Sequence, residues 1–273
     1  MKKILLGIIL LIIGTFLIAP VVAQEKKTIP LFNGKNLDGW YTFIKSKGKN
    51  SDPNRVFSVT DGAIRVSGME YGGMTTNEEY ENYILEVEYR VGENSYEPRK
   101  NRAFDSGILL HSKGTDGVYD GVWMNSIEVQ VIEGRTGDLL VVSNKKNENF
   151  SLTSTVDPDH LIKGGGGVFK QDGIETTVYT SGNPIRRIGS EMQEWKDIQR
   201  FRNKNEIEKP HGEWNTVKCI ASGKTIDVYL NGQLVNRAFH VKPQKGHIQI
   251  QSEGAEFFYR RIDLIPLPDI EQK

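Results

Sequence analysis

Cysteine is nearly missing from this 273-residue chain, which carries only Cys219. No intrachain disulfide can form, so the fold must rest on packing alone. An excess of either charge is missing too, with 35 Lys and Arg against 35 Asp and Glu. Nucleic-acid binding needs a concentrated basic face, and this balance argues against it. Helical periodicity is almost absent, and there is no internal repeat and no linker between two domains. P-loop, dinucleotide fingerprint, zinc spacing and nucleophile elbow are all lacking.

The one long hydrophobic run, Ile4 to Ile18, lies at the N-terminus behind Lys2 and Lys3. Val21-Val22-Ala23 follows with the small residues that a signal peptidase reads, so residues 1–23 are expected to be a cleaved leader. The alternative is a retained anchor, because the apolar stretch approaches the ~20 residues of a membrane span. Pro20 and the small-residue exit favour cleavage. The mature protein is then expected to be exported, periplasmic or extracellular, with no membrane contact. Its length of about 250 residues suits one large domain, expected over 28–268.

Period-two alternation dominates that domain. It predicts strands at Arg55–Thr60, Ala63–Ser67, Tyr83–Val91, Gly107–Ser112, Ser126–Ile132 and Leu139–Ser143. Six more are expected at Glu175–Thr180, Thr216–Ala221, Thr225–Leu230, Gln233–Ala238, His247–Gln251 and Glu256–Leu264. Asp61-Gly62 and Asn231-Gly232 read as type I′ turns, whose two central residues need positive φ. Many short antiparallel strands with Gly-rich turns indicate an all-β sandwich or jelly roll. Residues 144–211 break the pattern and are expected to form a long flap over one end, with a helix over Ser190–Arg202.

Seven stretches in register resemble the 3-keto-disaccharide hydrolase domain family. The most specific is Leu31-Phe32-Asn33-Gly34-Lys35-Asn36-Leu37-Asp38-Gly39-Trp40. The others are Tyr83–Arg90, Asp105–His111, Ile127-Glu128-Val129-Gln130-Val131-Ile132, Glu213-Trp214-Asn215 with Leu230-Asn231-Gly232, Gly246–Gln251 and Phe258–Ile262. The resemblance implies a concanavalin A-like jelly-roll sandwich of two antiparallel curved sheets that binds a carbohydrate. It also implies cleavage of 3-keto-glycosides. Three positions depart from the family pattern: Asp105 where Asn is usual, Ser252-Glu253 where Asp or His with Gly is common, and Arg261 in place of Asn.

Alternation on the central strand sends Ile127, Val129 and Val131 to the core, and Glu128 and Gln130 to the opposite face. That face would be the open, sugar-facing side. Glu133 completes a Glu-x-Gln-x-x-Glu pattern like that of β-glucanases, but five positions from Glu128 it falls on the other face. His111, at the end of its strand, is the second candidate for proton transfer, since an imidazole titrates near neutrality. Glu128 and His111 are therefore the expected acid and base. Glu88, Arg90, Asp105, Gln130, Gln251 and Arg260 are expected to hold the sugar's hydroxyls, with Tyr119, Trp123 and Trp195 as stacking aromatics. Trp40 and Trp214 read as core. A divalent metal ion held by His111, Glu128 and Asp105 is an open alternative for stabilising an enolate. Two other readings stay open: a non-catalytic lectin-like module on the same face, and a conventional retaining glycoside hydrolase.

Overall fold

A computed structural model describes residues 27–143, 149–189 and 195–268. The expected leader and Ser190–Glu194, the start of the expected helix, lie outside them. Nineteen strands and no helix occur among the described residues. All twelve expected strands are present, shifted by at most a few residues at their ends. Both I′ turns form as expected, with φ of 51° and 74° at Asp61-Gly62 and of 49° and 87° at Asn231-Gly232.

The strands form two layers. The front layer runs Gly48–Lys49, Trp40–Ile44, Gly72–Thr76, His247–Ser252, Asp105–Lys113, Asn125–Ile132 and Leu139–Val142. The back layer runs Phe57–Thr60, Ala63–Val66, Ala255–Pro266, Tyr83–Ser95, Asn215–Ser222, Thr225–Leu230 and Gln233–Lys242. Gln233–Lys242 also pairs with Ser151–Leu161 beyond the front layer, so the two layers are one sheet folded over. This is the all-β jelly-roll sandwich expected from the sequence.

The core lies between the layers. Tyr83, Leu85, Val87 and Tyr89 are buried from the back, and Ile108, Leu110, Ile127, Val129, Val131, Ile248 and Ile250 from the front. Their alternating neighbours Glu86, Glu88 and Arg90 are half-buried on the outer back face. Cys219 is buried in this core, and burial pushes its thiol up to about 12, where it is not a nucleophile.

The expected flap carries four strands. Ser151–Leu161, Gly167–Phe169, Ile174–Val178 and Ile185–Arg186 extend the front layer, with one parallel pairing between Gly167–Phe169 and Ile185–Arg186. Residues 195–202 are turns and bends rather than helix. Polar anchors explain this. Glu133 accepts from the Arg200 amide at 3.0 Å and from His211 Nδ1 at 2.7 Å, and Asp197 accepts from Arg102 Nε at 2.8 Å and the Ala103 amide at 3.1 Å. Those bonds fix the segment residue by residue and override a weak helical pattern.

Candidate active site

The outer face of the front layer carries an acidic cluster. Gln249 pairs across to Leu109, and Leu109 pairs across to Glu128, so three neighbouring strands present Gln249, Gln251, Gly107, Glu128 and Gln130 together. Glu128 leans along the sheet over Gly107. A Cβ added there would lie 2.3 Å from Glu128 Oε1 and 2.4 Å from Gln251 Oε1. Gly73 does the same for Gln249, whose side-chain Nε2 would be 2.8 Å from an added Cβ. The two glycines form a floor on which long polar side chains lie flat.

Asp105 sits at one end of this floor. It accepts from Arg99 Nη2 and, at 2.7 Å, from Gln130 Nε2. Arg99 is buried and also faces Asp197 at 3.4 Å. Glu253 follows Gln251 by two residues, and Gly254 packs so tightly on Arg99 that an added Cβ would be 2.9 Å from Arg99 Cγ. Glu253 is thereby carried close enough to Glu128 and Asp105 for their charges to act on one another.

Aromatic side chains close over the other end. Trp123 donates from Nε1 to the Gly72 carbonyl at 2.9 Å, stacks with Tyr119 at 6.2 Å between centroids, and meets Tyr71 at 5.8 Å. The Tyr119 hydroxyl is 2.7 Å from Ser181 Oγ. The face was expected to be open, yet Glu128 is only 5 % exposed. The loops carrying these rings cover it.

Burial dominates the electrostatics. It raises the Glu128 pKa well above the ordinary carboxylate value, and the Asp105 charge adds to the rise. Glu253 is pushed up to about 8 by burial and then by Glu128. Asp105 is raised by burial and by Glu253, while Arg99 pulls it down. Asp105 has the only contacts in the trio that suit a carboxylate, a guanidinium and an amide N–H. Among the described residues, Glu128 and Glu253 have no hydrogen bond or ion pair, so protons reside most easily on those two.

Several expected site residues lie elsewhere. His111 has φ of 52° at a register shift in its strand, which reverses the alternation and turns the ring inward. It is 1 % exposed, edge-on to Tyr83 at 5.8 Å, with Nδ1 2.8 Å from the Pro243 carbonyl. Burial lowers its pKa to about 4, so it is a neutral core residue. Glu88, Arg90 and Arg260 belong to the back layer's outer face, because the Tyr83–Ser95 strand pairs with Asn215–Ser222 and with Ala255–Pro266 rather than with Asn125–Ile132. There Arg260 Nε binds Glu88 at 2.6 Å, and Trp214 takes Arg260 at 4.5 Å and Arg90 at 5.3 Å. Trp214 is accordingly half-buried at this surface rather than in the core.

Trp195 anchors residues 195–202 to the front layer, with Nε1 on the Glu133 carbonyl at 2.9 Å and the Arg135 guanidinium 4.2 Å above its ring. Glu133 itself is structural. With His111 turned inward, the expected metal trio of His111, Glu128 and Asp105 does not converge. No other set of three His, Cys, Asp or Glu side chains is arranged to hold a metal among the described residues. Arg99 and Tyr71 had no signal in the sequence, since both stand in loops without periodicity. Glu253 was visible only as a departure from the family pattern.

The family model for the 3-keto-alpha-glucoside-1,2-lyase-like domain matches residues 27–265. The chain belongs to that family. Its role is thus carbohydrate-related. A protein of Parabacteroides distasonis ATCC 8503, provisionally assigned as a glycosyl hydrolase, is similar in structure, with a TM-score of 0.52 at 16% identity over 91% of this chain and 99% of that one. That likeness supports the fold of the lyase-like domain. Weaker likenesses link it to a Bacillus licheniformis β-glucanase (TM-score 0.44, 14% identity, 89% of this chain and 100% of that one) and a Bacillus subtilis CBM66 carbohydrate-binding module (0.46, 9%, 82% and 94%). No curated protein matches this chain.

Proposed function

We propose that the protein cleaves 3-keto-glycosides by 1,2-elimination followed by hydration, a net glycoside hydrolysis. A ketone at C3 acidifies the C2 proton. Its removal lets the C1–O bond break and gives an enone and the free aglycone, and water then adds across C1 and C2. This chemistry needs carboxyls that exchange protons near neutral pH, together with a polar site that excludes bulk water. The supporting observation is Glu128: buried beside Gln251 on the glycine floor, raised in pKa, and without a fixed partner among the described residues. In this reading Glu128 protonates the leaving oxygen. The Arg99–Asp105–Gln130 chain holds the adjacent sugar edge, and Gln251 offers its amide to a hydroxyl. Tyr71 and Tyr119 flank the ring. The N-terminal leader would place this reaction outside the cytoplasm.

The test compares an aryl glucoside with its 3-keto form. Fast aglycone release is expected only from the keto sugar, with solvent deuterium incorporated at C2 of the product. Equal cleavage of the unoxidised glycoside would favour a conventional glycosidase, and binding without cleavage of either would favour a lectin-like module.

A further inference from the structure

The elimination requires two proton carriers, and Glu128 is one. We propose that Glu253 is the other, taking the C2 proton while Glu128 protonates the aglycone oxygen; this rests on the function proposed above. Glu253 lies one residue past the end of the His247–Ser252 strand, at the position where its alternation continues the face of Gln249 and Gln251. Its neighbours on either side fix its place. Gln251 shares the space above Gly107 with Glu128, and Gly254 abuts Arg99, which binds Asp105. The turn is held by Ser252 Oγ donating to the Glu70 carbonyl at 2.7 Å and by the Tyr96 amide donating to the Gly254 carbonyl at 2.7 Å. The carboxyl is therefore carried on a firm backbone but has no side-chain partner of its own among the described residues.

The charges facing Glu253 come from four directions. Asp105 lies on the adjoining strand and Glu128 on the one after it, Arg99 and Arg102 on the loop before Asp105, and Asp120 on the loop that carries Tyr119. The hydroxyl of Tyr71, raised to about 12 by burial and by Glu253, stands beside it. Three carboxyls with Arg99 inside and Arg102 at the edge cannot all stay ionised. Asp105 keeps its charge on Arg99, so the protons go to Glu128 and Glu253. Glu253 is the less buried of the two and gives its proton up more readily, whereas Glu128 keeps its own.

The two carboxyls then trade roles. Glu253 removes the C2 proton, the electron pair forms C1=C2, and the C1–O pair leaves with the aglycone oxygen, which takes the proton of Glu128. In the return half, the Glu128 carboxylate accepts a proton from water as its oxygen adds to C1, and Glu253 delivers its proton to C2. One water is consumed and both carboxyls are restored.

The experiment measures kcat and KM for the 3-keto aryl glucoside across pH in wild type, Glu253→Gln, Glu253→Asp and Glu128→Gln, with thermal melts of each. Glu253→Gln should lose ~10²-fold or more in kcat with little change in KM, and should lose the acidic limb of the profile. Glu253→Asp should recover part of the rate. A folded Glu253→Gln with wild-type kcat and both limbs intact, beside an inactive Glu128→Gln, overturns the assignment of Glu253 alone. Wild-type protein inert toward the keto substrate overturns the reaction and this role together.

Discussion

Replacing Gly107 by alanine tests the site with a single methyl group. Gly107 has ordinary strand geometry, so alanine there meets no backbone strain, and the gain in chain stiffness is worth about 0.4–1 kcal/mol. The added methyl lands 2.3 Å from Glu128 Oε1 and 2.4 Å from Gln251 Oε1, well inside contact distance. Both are far ends of flexible side chains, so the collision is relieved by moving them, at an overpacking cost of about 1–3 kcal/mol. The two effects leave a net loss of at most about 2–3 kcal/mol, and a domain of this size loses about 2–4 °C per kcal/mol. Catalysis should suffer far more, because a misplacement of ~1 Å can cost ~10²-fold in rate. Thermal melting paired with aglycone release separates the two. Gly107→Ala should melt within roughly 10 °C of wild type and lose at least ~10²-fold in kcat/KM. A variant with undiminished turnover would show that the reacting groups do not lie on this floor.

Glu128→Gln should keep the fold and lose aglycone release by ~10²-fold or more, measured under the same conditions. His111→Ala should do the reverse, costing about 1–3 kcal/mol in melting experiments while leaving turnover near normal below the transition. Because the folded His111 pKa of about 4 lies below its ordinary 6.5, wild-type stability should fall as pH drops through that window, and the variant should lose this dependence. Glu253 has the opposite sign: its folded pKa of about 8 exceeds the ordinary 4.5, so stability should decline as pH rises between those values, less steeply in Glu253→Gln. Glu133→Ala removes the acceptor for His211, Arg200 and Phe104, and amide exchange in residues 195–211 should speed up while the sandwich stays protected.

The faces of single strands were legible because they depend only on neighbours in sequence. Ile127, Val129 and Val131 turn inward and Glu128 turns outward, as period two requires. His111 escaped that rule because one residue with positive φ reversed the alternation, and nothing in Leu109-Leu110-His111 marks the shift. Glu88, Arg90 and Arg260 were placed on the correct face of their strands but in the wrong layer, since layer membership is decided by pairings between distant segments. The short Gly72–Thr76 strand was missed because two glycines suppress its strand signal. They are there for space: an added Cβ at Gly72 would lie 2.8 Å from Ile44 Cδ1, and Gly73 sits beneath Gln249. The seclusion of Glu128 could not be read at all, because Tyr71 and the Tyr119–Trp123 pair reach it from two loops far apart in sequence.

The glycine floor divides the site into parts with different freedom to change. Gly73 and Gly107 each admit only one residue without displacing the amide or carboxyl lying on them, so natural variation or directed evolution gains no new specificities from the floor. The walls hang from loops whose length and composition the sandwich does not dictate. Tyr71 and Tyr119 can be exchanged or withdrawn while the strands below keep their register. Descendants of this protein with altered sugar preference should therefore differ around the rim and agree on the floor, and a library aimed at new aglycones is best spent on residues 69–71 and 114–124.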